Sequence, residues 1–262
     1  MPQLKSRHQD VDRIFRRSIT AREIAEPLIS FETDQPAERV RQFMESRNYD
    51  VVGVRHEGVM NGYVLKHELH AGQVGEHLIR FNEDELINES DPLLETLAAL
   101  RVKKWVFIRF LGNPSGIVTR GDLQKTPVRM WLFGLTSLLE IHLLRRIRTN
   151  YPGNEWVDYL TPNRLEKTQQ TFSDRQLRND AIDLAECLQL SDKATIFRKS
   201  EGLLALLGFE SPKAWRSFMA GVEDLRNRVA HSNDIPADMW PQVAEVVDGI
   251  ERCLVNLETS ST

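Results

Sequence analysis

Little in this chain can cross-link it, coordinate a metal or anchor it. Two cysteines, Cys187 and Cys253, occur in 262 residues, far apart and each within a helical pattern. That count gives no disulfide framework and fits small buried thiols in a reducing cytoplasm. No cluster of His, Cys, Asp or Glu has metal-ligand spacing, so neither a structural zinc nor a catalytic metal is expected. There is no long uncharged apolar run, so no membrane span is expected. The basic N-terminus MPQLKSRHQDVDRIFRR lacks the apolar core of a secretory signal. An excess of one charge is missing as well: the net charge is −4, with 18 basic against 19 acidic residues over Met1 to Lys125 and 16 against 19 beyond. Neither half is a general polyanion binder, and any nucleic-acid contact has to come from a local patch. A P-loop, a serine elbow and a nucleotidyltransferase glycine-serine motif are also absent, which sets aside the enzymes built on them.

What is present fills two domains of ordinary size. Residues 1–18 read as a basic lead-in, a solvated arm or one short helix. Residues 19–126 contain a repeat at a spacing of 54 residues. YDVVGV at Tyr49 to Val54 and GYVLKHEL at Gly62 to Leu69 align with KWVFIRF at Lys104 to Phe110 and GIVTRGDL at Gly116 to Leu123. An amphipathic helix with a turn-and-proline start precedes each copy, at Asp34-Gln35-Pro36 and at Ser90-Asp91-Pro92. The expected order is helix, strand, turn, strand, helix, given twice. Thr126-Pro127 marks the boundary with only a few residues of linker, short enough to couple the two halves mechanically.

This order and the GIVTRGDL string make the first half resemble a tandem pair of CBS domains, a Bateman module, over about a hundred residues. The resemblance implies an α/β (α+β) fold and an adenine-nucleotide site (AMP, ADP or ATP) at Gly116, Thr119 and Asp122. A carboxylate at a strand-to-helix turn can accept both ribose hydroxyls, while a hydroxyl can meet phosphate. Asp122 can equally N-cap the helix that follows, and Arg120 can meet a phosphate or stay solvated. The first copy departs from the pattern, with Leu65 for the hydroxyl and Glu68 for the aspartate. One good site and one degenerate site per chain are therefore expected.

Residues 127–262 read as five helices with short connections, an all-α antiparallel bundle. The first, VRMWLFGLTSLLEIHLLRRIRTN, is apolar almost all round at its start, which suits a bundle centre or a dimer seam. Arg145, Arg146 and Arg148 at its end form the densest positive cluster of this half, either a local patch for an RNA backbone or cations complementing a helix C-terminus. WVDYL is a short helix or loop. Arg175 to Leu188 and Lys193 to Leu207 read as two helices, the latter N-capped at Ser191-Asp192 and stopped by Gly208. The next is predicted to begin at Ser211 with Pro212 in its first turn and to run about twenty residues. Trp215, Phe218, Met219, Val222, Leu225 and Val229 form its apolar stripe, and Arg226 falls inside that stripe, so Glu140 is a candidate partner for it. Asn227 and His231 share another face, and Ser232, Asn233, Asp234 and Pro236 should end the helix. A last helix runs from about Ala237 to Leu257, and the tail Glu258 to Thr262 should fray.

Arg226-Asn227 followed by His231, late in a helical domain, is similar to the arginine-histidine motif of HEPN domains. The resemblance implies a metal-independent ribonuclease needing no catalytic cofactor, with its active site formed where the motifs of two subunits meet. Arg226 would hold the phosphate, His231 move the proton and Asn227 orient the phosphate or the imidazole. Residues five apart on a straight helix point about 140° away from each other, so Arg226 and His231 converge only through arginine's reach, an early helix end or a second subunit. The implied protein is a cytoplasmic homodimer acting on RNA in stress or anti-phage defence. A nucleotide on its CBS pair would gate it, and its antitoxin, if it has one, would be a separate protein. The other class the sequence allows is a non-catalytic sensor or dimerisation scaffold.

Overall fold

The computed structural model describes residues 18–178, 181–231 and 233–259. The lead-in before Ser18, Asn179 and Asp180 of the expected Arg175 to Leu188 helix, Ser232 and the end of the tail from Ser260 lie outside the described residues. These divide into two compact units that meet in sequence between Val128 and Arg129.

The first unit repeats one supersecondary pattern. After β1 (Glu26–Pro27), the first copy runs β2 (Ser30–Glu32), α1 (Ala37–Arg47), β3 (Val51–His56) and β4 (Val59–Leu65). The second runs β5 (Leu86–Asn88), α2 (Leu93–Val102), β6 (Trp105–Phe110) and β7 (Asn113–Thr119). Each copy has a parallel strand ahead of an antiparallel hairpin, giving sheets ordered β2-β3-β4 and β1-β7-β6-β5. Both hairpins close through two residues with positive φ, Glu57-Gly58 and Leu111-Gly112, the turn whose twist matches paired strands. Both also carry a bulge, at Val54/Arg55 and Ile108/Arg109. The closing helix expected of each copy is instead a 3-10 turn, Lys66–Glu68 and Arg120–Gln124. In the first copy Gly72, at φ +96°, turns the chain back to bond with Ala37; in the second, Lys125 is extended and a new helix starts at once.

The strand β1 crosses to the second copy's sheet, pairing Glu26 with Ile117 and Pro27 with Gly116. Ile79 occupies the equivalent edge of the first copy, exchanging both backbone hydrogen bonds with Tyr63 at 2.8 and 2.9 Å. Aromatic rings pack there: Tyr63 lies 4.9 Å from Phe107, and Phe81 lies 4.8 Å from Phe107, centroid to centroid. Burial, reinforced by Glu85 on its hydroxyl, pushes the Tyr63 phenol up to about 12.

The helical unit holds α3 (Thr126–Asn150), which starts in the repeat unit, α4 (Pro162–Gln176), α5 (Leu190–Lys199), α6 (Glu201–Leu206), α7 (Pro212–Ala230) and α8 (Trp240–Thr259). Thr126 and Pro127 form the first turn of α3 rather than a linker, since a proline there loses no intrahelical bond. Along α3, Trp131, Leu132, Leu135, Leu138, Leu139, Leu143 and Ile147 are buried, while Met130, Phe133 and Ile141 face outward. The described residues of the expected Arg175 to Leu188 helix do not form it, and Asn179 and Asp180 lie outside the described residues. α4 ends at Gln176, and Asp183 instead caps a 3-10 turn at Leu184–Cys187 by accepting the Glu186 N–H at 3.0 Å. The expected Lys193 to Leu207 helix breaks at Ser200, whose hydroxyl caps α6 and accepts the Tyr151 hydroxyl at 2.6 Å. α5 is capped two to three residues earlier than expected, at Gln189, with Asp192 accepting the Gln189 N–H at 3.0 Å. Gly208, at φ +70°, ends α6 as expected, and α8 continues through Glu258 to Thr259 where fraying is expected.

Two ion pairs lock the interior. Asp192, 3% exposed, takes a bidentate fork from Arg164 at 2.8 and 2.7 Å. Lys193 donates to Glu140 at 2.7 Å and to the Leu188 carbonyl at 2.9 Å. Both thiols are buried. Burial pushes the Cys253 thiol up to about 12 and raises that of Cys187 as well. Since only a thiolate attacks a disulfide reagent, neither cysteine is expected to react near pH 8 until denaturant is added, and two are then expected to react. Fast labelling of Cys253 in the native protein would contradict the packing of α8.

Candidate functional site

In the repeat unit, a cavity of about 630 Å³ opens over the second copy's strand-to-turn junction. Thr119 is the last residue of β7 and the N-cap of the turn behind it. Its N–H and its hydroxyl both donate to Asp122 Oδ2, at 2.7 and 2.8 Å. Lys125 binds Asp122 Oδ1 at 2.9 Å, reaches the Ile24 carbonyl at 2.7 Å and pairs with Glu26. Burial works against the Lys125 charge, but the Glu26 and Asp122 carboxylates outweigh it and hold the ammonium above its usual range. The Asp122 carboxylate thus first secures its own turn, as a capping box does, and Oδ1 keeps one lone pair for a further hydroxyl.

The sequence motif is only partly assembled around this cavity. Thr119 and Asp122 line it; Gly116 does not. A Cβ on Gly116 would lie 2.6 Å from the Phe110 ring and 3.1 Å from Ile108 Cβ, so the glycine makes room for the opposite strand. Arg120 lines the cavity, but it donates to the Leu100 and Arg101 carbonyls at 3.0 and 3.2 Å, capping the end of α2. In the first copy, Leu65 stands at the N-cap with no side-chain bond and Glu68 closes no capping box.

Most of the wall stands outside the motif, including Trp105, Tyr49 and Lys104. Trp105 pairs with Thr119 across β6 and β7, so the two side chains share a face of the sheet. Tyr49 lies beyond the end of α1, and Lys104 directly precedes β6. The turn at Leu111-Gly112 was the available signal, because counting back from it across one bulge sets Trp105 opposite Thr119.

In the helical unit, α7 begins as expected: Ser211 Oγ accepts the Ala214 N–H at 3.1 Å, and Pro212 takes the first helical position. Trp215, Met219, Val222, Leu225 and Val229 are buried. Arg226 is exposed, not set in the stripe, and Glu140 is already engaged by Lys193. Asn227 and His231 are exposed too, and among the described residues the three side chains make no hydrogen bond or ion pair with one another. The helix ends at Ala230, leaving His231 as C-cap with its N–H on the Asn227 carbonyl at 3.1 Å. Arg129 fixes this end: its guanidinium donates to the Asn233 carbonyl at 2.9 Å and the Arg228 carbonyl at 3.1 Å. Of the three cations at the end of α3, Arg145 is exposed, Arg146 is half-buried, and Arg148 is paired with Asp183 at 2.5 Å and Glu186 at 2.6 Å. Burial opposes the Arg148 charge, but those carboxylates outweigh it and raise its pKa. Arg148 therefore complements its own unit before any RNA.

Among the described residues no group of three or more His, Cys, Asp and Glu side chains is placed to hold a metal, and no helix is long and apolar enough to cross a membrane. No family model and no curated protein matches the sequence. Several solved structures are similar to part of the chain. One is the CBS domain of a bacterial CNNM/CorC family Mg2+ transporter in complex with ATP, at 17% identity and TM-score 0.36, over 46% of this chain and 94% of that one. Another comprises the CBS domains of a transcriptional regulator from Streptococcus pneumoniae, at 14% identity and TM-score 0.35, over 40% and 95%. A third is the CBS domain of a membrane protein from Sphaerobacter thermophilus, at 14% identity and TM-score 0.35, over 44% and 91%.

Proposed function

We propose that residues 19–126 form a CBS pair that senses an adenine nucleotide, and that residues 127–262 are the helical output it controls. The observation that carries this reading is the cavity lined by Thr119 and Asp122, joined in their capping box, together with Trp105 and Tyr49. Its volume suits a small molecule, the rings offer an apolar face to a base, and the carboxylate offers an acceptor to a ribose. Calorimetric titration with AMP, ADP and ATP tests it. One nucleotide per chain is expected to bind. Asp122→Ala is expected to weaken it about tenfold or more, as loss of a hydrogen bond to a charged group implies, while Glu68→Ala in the degenerate copy changes little. A folded protein that binds none of the three is no adenine-nucleotide sensor.

For the output, a second observation favours one chemistry. Arg226, Asn227 and His231 are each exposed near the end of α7, and among the described residues they make no bond with one another. This is the state required of groups that have to engage a phosphate and move a proton. The output is accordingly metal-independent RNA cleavage by a cytoplasmic homodimer of toxin or defence type. Arg145 and Arg146 lie on the RNA path, and a separate protein serves as antitoxin where one exists.

A further inference from the structure

We propose that the cavity over Thr119 and Asp122 selects a nucleoside monophosphate over a triphosphate, with Lys104 as its single phosphate anchor. This rests on the adenine-nucleotide reading of that cavity and decides which nucleotide it takes.

Few cations around the cavity are free to turn onto a phosphate. Among the described residues, two cationic side chains line the cavity, Arg120 and Lys104. Arg120 gives its Nε hydrogen and one Nη2 hydrogen to the two carbonyls that end α2, so its guanidinium is pinned at that helix end, where the helix dipole also favours it. Behind the wall, Lys125 is held by Glu26, Asp122 and the Ile24 carbonyl, and Lys66 is paired with Asp50 at 3.0 Å. Lys104 is exposed and makes no hydrogen bond or ion pair among the described residues. One phosphate therefore finds a partner without breaking anything already formed. A second or third phosphate has to draw on the guanidinium pinned at the end of α2, displace a lysine from its carboxylate, or lie against Glu26 and Asp50, which also line the cavity. A lysine on a flexible stem suits this role, acting as a point charge rather than as a fork that fixes several phosphate oxygens.

The test measures binding of adenosine, AMP, ADP and ATP by calorimetry at low ionic strength, with and without Mg2+. The full chain is used as wild type, Lys104→Ala and Lys104→Arg. AMP is expected to bind about fivefold more tightly than adenosine and about fivefold more tightly than ATP, the size expected of one partly screened charge contact. Lys104→Ala is expected to erase the difference between AMP and adenosine, and Lys104→Arg to retain most of it. Lys104 has no partner to lose, so the variants keep the fold, and an unchanged melting temperature verifies that. ATP binding as tightly as AMP, or a preference for AMP that survives Lys104→Ala, overturns the selectivity and leaves the sensor reading standing. No binding of any of the four overturns both.

Discussion

Trp215→Ala is expected to destabilise the helical unit by about 3–5 kcal/mol, the range for a large aromatic removed from a packed interior. Trp215 is fully buried, and its ring sits 5.1 Å from Phe209, 5.7 Å from Phe218 and 5.9 Å from Phe197. Those rings come from α5, from α7 itself and from the segment joining α6 to α7, so the indole fastens three pieces of chain at once. Its Nε1 also donates to the Ala194 carbonyl at 2.8 Å, tying α7 to α5 by a polar bond inside an apolar seam. Truncation leaves a cavity that three rings cannot close without moving a helix. Trp215→Phe separates the two contributions. It keeps an aromatic filler and loses the hydrogen bond, for which about 1–2 kcal/mol is expected. Urea unfolding followed by circular dichroism measures both, with the helical unit's own transition as the readout if the two units unfold separately. Equal losses in the two variants would mean that the hydrogen bond, rather than the ring volume, holds the seam.

The same helix shows what could be read in the sequence and what could not. Its start at Ser211-Pro212 and its end at His231 are set by local chemistry, a hydroxyl cap, a proline at the first position and breakers after the histidine, and these hold in the fold. The 54-residue repeat is equally local: the strands β3 and β6 begin at Val51 and Trp105, and the hairpins turn at matching places. α4 escaped because PNRLEKTQQTFSDRQ has no apolar stripe; of its residues only Thr168 is buried. Thr161-Pro162 was the signal available for it. The helix read over Arg175 to Leu188 failed for the converse reason, since scattered apolar residues suggested a period that Asp183, as a cap, interrupts. Tertiary partners were hidden in kind. Glu140 has a buried lysine to satisfy, so it was not available to Arg226, and nothing in the spacing of Lys193 announces that need. Trp105 carries no motif of its own and reaches the cavity only because strand register sets it opposite Thr119.

RNA cleavage without added metal is the other large effect expected, and its dependence on two side chains follows from the chemistry. Attack of a 2'-oxygen on the adjacent phosphorus forms one bond and breaks the bond to the 5'-oxygen. One proton has to leave the attacking hydroxyl and one has to reach the departing oxygen. A single histidine per chain can serve one of these transfers at a time, so a pair of chains, each bringing His231, can serve both. The developing charge on the phosphate needs a fixed cation, which in the proposed reaction Arg226 would supply without being able to lose its proton. His231→Ala and Arg226→Ala are therefore each expected to lower cleavage at least about 100-fold, and Asn227→Ala about tenfold. The products are expected to end in 2',3'-cyclic phosphates, and a chelator is expected to leave the rate unchanged. Because all three side chains are exposed, the variants should unfold at the wild-type temperature, which separates lost chemistry from lost structure. Adding the nucleotide that the cavity binds tests whether the two units work as one switch, since coupling requires that ligand to favour the cleaving and resting states unequally. A folded, dimeric wild type that cleaves no RNA with any nucleotide would leave the helical unit as a docking or dimerising module. In that case Arg226 and His231 would be surface residues of its helix end, and Arg129 would hold that end for recognition rather than for catalysis.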